Sequence, residues 1–414
     1  MKLKNIQTVQ LVKIFILPAI LFAIASCNKA LPEATPIIYT PVNSSTTSIG
    51  DLISSDTSYS FFAAAAQKTG QLAQLSRDST VFTVFLPNNN AFRASGIPSI
   101  DVVNSLPPQT LGGIVGYAII PGRQFLSTDF TGTFPNTQLP TSITIGALPI
   151  PIPLKLSTFP SVGATGFYDN NIPVVKPDVK LKNGVVHLVG GIVAPPSQVL
   201  KAAMYSNPNL TYFKAAIARA DSGQIGLNRL DSLLGYAVTN MTVLAPNNTA
   251  FQTLISVTAY GYLLQQGYPQ DVAAQTAAQL SSSPDVFSNP LLFSALTATT
   301  VRGILVYHFL ATNAGSGFQP NIRVFSNNFS SSPTNYTTLL NSAVPQHPGI
   351  IAKATFAGPF VGSLQFTGLG TFPPGGAPYS GGAANAIASP ITHMVDNHAV
   401  NGVFFILDKV LLPQ

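Results

Sequence analysis

The chain has 414 residues, of which 46% are hydrophobic and only 8% are Asp, Glu, Lys or Arg, against about 25% in an ordinary soluble domain. Its polar remainder is mostly hydroxyls and amides, and its formal charge of +6 falls to +3 once Lys2, Lys4 and Lys13 of a removable N-terminal segment are set aside. The other basic residues are scattered, which argues against a nucleic-acid partner, and the high apolar content argues against disorder.

Residues 1–27 have a basic start, an apolar run at 14–25 interrupted by Pro18, and small residues before Cys27. A spanning helix needs about 20 apolar residues, so this run reads as a signal-peptide core. The segment ends Ile24-Ala25-Ser26-Cys27, which resembles a bacterial lipobox. Cys27, the one cysteine of the chain, is therefore the expected lipidation site and membrane anchor; the alternative is an unused thiol after an ordinary secretory signal. Residues 28–47, rich in Pro, Ser and Thr, read as a flexible tether.

Helical patterning follows at 61–75. Residues 83–92 read TVFLPNNNAF: an apolar β-prone run meets Pro87, which disfavours helix just before it, and Asn88 or Asn89 then caps a helix that buries Phe92. A second apolar block, LGGIVGYAIIPGR, occupies 111–123, and β-branched runs broken by Pro and Gly fill 142–193. Asn183-Gly184 is a tight-turn signal before the apolar strand at 185–193, so a hairpin closes the unit. Helices first and strands last indicate an α+β fold.

The same order then recurs. Helical patterns at 197–204 and 210–220 precede TVLAPNNTAF at 242–251, VRGILVYHFLATN at 301–313 and NGVFFILDKVLLPQ at 401–414. Two copies of one domain are expected, at 48–198 and 199–414. The second carries 31 extra residues between its first and second motifs and 28 between its second and third. The first insertion includes the Gln/Ala-rich stretch 268–280, read as helix, and the second includes 368–390, rich in Gly, Pro and Ala and read as an exposed loop.

These three blocks, in this order, resemble the fasciclin (FAS1) domain, whose first block reads T-V-F-A-P-T-D-x-A-F, whose middle block holds a Tyr-His pair and whose last reads N-G-x-I-H-x-I-D-x-V-L-x-P. The resemblance implies two tandem wedge-shaped β-sandwiches flanked by helices, with a role in extracellular adhesion or matrix binding without catalysis. Behind a lipobox, such a pair resembles a Bacteroidota-type envelope lipoprotein. Tyr307-His308 keeps the middle pair whereas the first copy has Tyr117-Ala118; His187 is matched by Phe405 and Asp408 by Gly191; Asn replaces the first-block acid in both copies. Tyr307 and His308 are the candidate binding residues. The competing reading buries the Tyr307 ring and bonds His308 to a loop carbonyl.

Catalytic groups are few. The one glutamate, Glu33, lies in the tether, and the 13 aspartates sit mostly in turn or cap contexts, such as Asp129, Asp169 and Asp285. No G-x-S-x-G elbow, P-loop or H-E-x-x-H occurs. Of the five histidines, His187, His308, His347, His393 and His398, the last two flank Asp396; three such residues in a loop are more often solvated than metal-bound. No catalytic residue, metal or cofactor is expected. The expected function is a non-catalytic cell-envelope lipoprotein, at the outer membrane, whose tandem domains bind an envelope protein or polysaccharide. A periplasmic scaffold or accessory to a polysaccharide-handling complex is the second reading, favoured by the lack of an acidic run after Cys27, and an unrecognised hydrolase is the third.

Overall fold

The structure, a computed structural model, describes residues 43–147, 153–313, 317–370, 384–387 and 394–413. Cys27, most of the expected tether, and His393 of the metal-like trio lie outside the described residues.

The first copy opens on helices α1 (Ile49–Ser55), α2 (Ser60–Lys68) and α3 (Leu72–Leu75). A reciprocal pair starts α1: Ser48 Oγ accepts from Asp51 N at 3.1 Å, and Asp51 accepts from Ser48 N at 3.0 Å. Strand β1 (Phe82–Pro87) is buried along its whole length. Helices α4 (Asn89–Ala94), α5 (Ile100–Ser105) and α6 (Pro108–Ala118) follow, then β2 (Ile119–Pro121), β3 (Leu139–Ala147), β4 (Pro153–Thr158), β5 (Pro160–Gly163), β6 (Gly166–Asp169), β7 (Ile172–Leu181) and β8 (Gly184–Val189). Residues 43–47, read as tether, are already held: Asn43 donates to the Leu181 and Gly184 carbonyls, each at 3.0 Å, and Thr47 O accepts from Lys182 N at 2.8 Å.

Six strands form one sheet in the order β2-β1-β8-β7-β6-β5, with β3 and β4 a separate hairpin. The hairpin read from Asn183-Gly184 is β7–β8, but β8 also inserts parallel beside β1, pairing Phe82 with Gly184 through Pro87 with Val189. Two register shifts in β7, flanking Lys176, are bulges that add twist. The sheet curls so that Phe85, Ile120 and Val189 pack with Phe167, Ile172 and Val174. Phe82, Val84, Leu86 and Val186 face the helices instead. Both faces are covered, which is why these strands read as continuous apolar runs.

The second copy repeats the plan with α7 (Leu200–Tyr205), α8 (Thr211–Ala220), α9 (Leu230–Gly235), β9 (Met241–Pro246), α10 (Asn248–Gln265), α11 (Gln270–Ser281) and α12 (Ala298–Val306). Short β10 (Thr312–Asn313) and β11 (Phe318–Gln319) precede β12 (Thr334–Tyr336), β13 (Ile350–Ala357), β14 (Phe360–Thr367), β15 (Ala384–Ile387), β16 (Asn397–Ala399) and β17 (Gly402–Leu407). Again the last strand is parallel to the first, Gly402 opposite Met241 through Leu407 opposite Pro246. Leu244, Val403, Phe405 and Leu407 pack on Ile350, Ala352, Leu364 and Phe366 of the sheet β12-β13-β14-β15. Val243, Ala245, Phe404 and Ile406 enter the helical core. Two facing sheets make a sandwich in this copy, whereas the first copy uses one curled sheet and a hairpin.

The Gln/Ala-rich insertion is helix α11, which packs on α10. Part of the stretch read as an exposed loop is strand: β15 pairs with β14, Ser363 opposite Ile387 through Phe366 opposite Ala384. Among the described residues no helix is long and apolar enough to cross a membrane.

Candidate functional site

Buried backbone groups need partners, and the motif residues of both copies supply them at matching places. Asn183 accepts from Ile49 N at 2.8 Å and donates to the Leu75 and Arg77 carbonyls at 2.7 and 3.1 Å. Asn401 likewise accepts from Leu200 N at 2.7 Å and donates to the Leu234 and Tyr236 carbonyls, both at 3.0 Å. The Asn pairs divide their work. Asn88 and Asn247 cap α4 and α10 at 2.9 and 2.8 Å, while Asn89 and Asn248 accept from Phe61 N and Tyr212 N in the opening helices. Thr83 and Thr242 each donate to one carbonyl and accept one N–H from the strand-to-loop crossing, at 2.7–2.9 Å.

Tyr307 and His308 are fully buried. The Tyr307 hydroxyl donates to Gly349 O at 2.6 Å, as the Tyr117 hydroxyl does to Ser157 O at 2.8 Å; burial pushes the Tyr307 phenol up to about 12. His308 Nδ1 donates to Ile304 O at 2.9 Å, and Nε2 accepts from Leu411 N at 3.0 Å. That pattern is the neutral ring, in keeping with burial holding its pKa down to about 4. Neither side chain reaches solvent, so the pair expected to contact a partner braces α12 against the C-terminal segment. His187 is also buried, with Nε2 on Phe125 O at 2.8 Å and Nδ1 accepting from Asp178 N at 3.3 Å. Phe405, at the matching position, packs on Phe329 and Phe366 instead.

Asp178 and Asp396 stand at positive φ, +59° and +52°, and each takes the N–H and hydroxyl of one serine, Ser127 and Ser326. Asp396 also accepts from Asn171 of the first copy at 3.2 Å. Beside it, the buried Arg323 donates to Asn240 Oδ1, His398 Nε2 and the carbonyls of Ala399 and Val400 at 2.7–3.2 Å, and lies 4.3 Å over the ring of Phe159. Burial and the neighbouring guanidinium hold His398 far below the usual imidazole range, so its Nε2 lone pair serves Arg323. Asp396 and His398, read as solvated loop residues, are instead taken up by bonds inside the protein, to Ser326 and to Arg323. Asp169, fully buried with Oδ2 unbonded among the described residues, is pushed up to about 7 by desolvation.

The two copies meet along this polar seam. Tyr168 donates to Pro359 O at 2.6 Å and Asn328 to Ser161 Oγ at 2.8 Å. Next to it opens a cleft of about 660 Å³, walled by residues 132, 134 and 162–164 of the first copy and by residues 310–313, 322, 328–331 and 334–337 of the second. None of its lining residues is ionisable in the physiological range; they are hydroxyls, carboxamides, backbone, small apolar groups and the half-buried rings of Phe134 and Tyr336. The Tyr336 hydroxyl oxygen accepts from Ser330 N–H at 3.3 Å, and its ring meets Phe329 edge-on at 5.1 Å.

The cleft lacks a carboxylate pair, and among the described residues no three His, Cys, Asp or Glu side chains cluster to hold a metal. Sequence reasoning missed both Arg323 and the cleft; the one trace it offered is the amide- and hydroxyl-rich run at 326–338. Compared with known proteins, residues 57–195 match the family model of the fasciclin domain. No curated protein matches. Among solved structures, a FAS1 domain pair from the insect cell adhesion molecule fasciclin I is similar at 12% identity over 86% of this chain and 97% of that chain, with a TM-score of 0.32.

Proposed function

On the premise that residues 57–195 are a fasciclin domain, we propose that the protein is a non-catalytic, lipid-anchored component of the cell envelope that binds an envelope protein, a matrix polysaccharide or another cell. The observation that carries this reading is the uncharged cleft between the two copies, a concave surface of the size of a ligand site whose groups suit binding by shape and neutral hydrogen bonds. Support for the anchor is the Ile24-Ala25-Ser26-Cys27 sequence.

Adhesion through such a surface depends little on ionic strength, because screening acts on charges. Binding of the purified protein to envelope preparations should change less than about twofold between roughly 0.05 and 0.5 M salt. A collapse at high salt refutes the neutral-surface reading. Protease shaving of intact cells separates surface display, in which the protein is cleaved, from the periplasmic scaffold, in which it is protected. Radiolabelled fatty acid incorporated by the parent chain and not by Cys27→Ala tests the anchor.

A further inference from the structure

We infer that the cleft between the two copies is a glycan site, taking a neutral oligosaccharide segment. This rests on the binding role proposed above and names its ligand class. An ionic ligand would enter a space of about 660 Å³ without a counter-charge among its lining residues, and desolvating an unpaired ion is costly. The remaining choice is among neutral ligands. Hydroxyls and carboxamides both donate and accept, as every sugar hydroxyl does; the walls supply Ser331, Thr334 and Asn335, all exposed, and although Thr334 donates to Ser332 O and Asn335 to Pro348 O, each keeps an oxygen that can accept and Asn335 a second N–H. Phe134 from one copy and Tyr336 from the other add ring surface for the C–H faces of a pyranose.

An extended peptide fits less well. Peptide capture at a sheet edge draws on a run of main-chain hydrogen bonds, and the edge strands bordering the cleft are short: β12 has 3 residues and β5 has 4. A sugar chain needs no ladder, only dispersed donors, acceptors and rings.

The test uses the full chain and a panel of neutral hexasaccharides of glucose, mannose, galactose and xylose, with uronate and sulfated counterparts and acetylated decapeptides, read by calorimetric titration. At least one neutral sugar should bind, with an affinity insensitive to salt. Ala164→Trp and Ser331→Trp, at exposed positions on opposite walls, should each weaken it by about tenfold or more while keeping the parent melting temperature. A panel in which only anionic sugars or only peptides bind overturns the inference, as does an empty neutral panel or binding indifferent to both tryptophans. Envelope capture distinguishes this failure from failure of the adhesion reading. Retention abolished by periodate, which cleaves vicinal diols, supports the glycan. Retention abolished by protease and untouched by periodate leaves adhesion standing with a protein partner, and no retention in either arm sinks both.

Discussion

Asn183 and Asn401 are each fully buried and each tie the closing turn of a copy to the N-terminus of its first helix and to carbonyls of a third segment. Truncation strands one N–H and two C=O groups, at about 1–3 kcal/mol for an unsatisfied buried group. Asn183→Ala or Asn401→Ala is therefore expected to lower stability by about 3 kcal/mol, seen as a lower urea midpoint at unchanged m-value; a loss below about 1 kcal/mol would mean that water replaces the amide. Two other buried groups set opposing pH trends. His308 titrates near 4 in the fold against 6.5 ordinarily, so the unfolded chain binds more protons between those values and stability falls as pH falls through them. Asp169 is raised from 3.8 to about 7; its contribution is present below 3.8 and lost as pH rises through 7. Asp169→Asn mimics the protonated acid. It should exceed the parent by on the order of 4 kcal/mol near pH 8 and come close to it near pH 4, and an equal difference at both values would show that this carboxyl is not desolvated.

At the scale of elements, the parallel insertion of β8 beside β1 and of β17 beside β9 explains why Gly follows each Asn. A Cβ on Gly184 would lie 1.9 Å from Phe82 O, at a φ of +146°, and one on Gly402 would lie 2.4 Å from Met241 O. Gly122, at φ +79°, has nothing within 4 Å of its Cβ position. Gly184→Ala should thus cost more than about 3 kcal/mol, because a strand must move, whereas Gly122→Ala should cost only the left-handed strain of about 1–2 kcal/mol. Comparable thermal shifts for the two would refute the close-approach argument. The tight-turn reading of Asn-Gly placed both hairpins, and the run into Pro87 placed the strand-to-helix junction. The parallel partner stayed hidden because strands buried on both faces carry no period of 2 that reveals which neighbour they take.

At the scale of the whole molecule, one guanidinium at the seam, Arg323, is held by an amide, an imidazole and two carbonyls of its own copy and reaches the first copy through the ring of Phe159. A planar fork makes these contacts and an ammonium does not. Arg323→Met and Arg323→Lys are both expected to lower the melting temperature and to split calorimetric unfolding into two transitions, one per copy; a single transition at the parent temperature would show that the seam does not couple them. The repeat, the α+β order of elements and the shortage of catalytic groups were all legible in the residues, because each depends on local chemistry or on comparing one stretch with another. Tyr307 and His308 show the limit of that reading: their pairing was plain, and their burial depends on α12, Gly349 and Leu411, up to 103 residues away. The sequence by itself thus determined two copies of one fold and a surface short of charge. Only the tertiary structure decided which polar residues the fold consumes and which remain to line a cleft, since hydrogen-bond satisfaction is settled between segments distant in the chain.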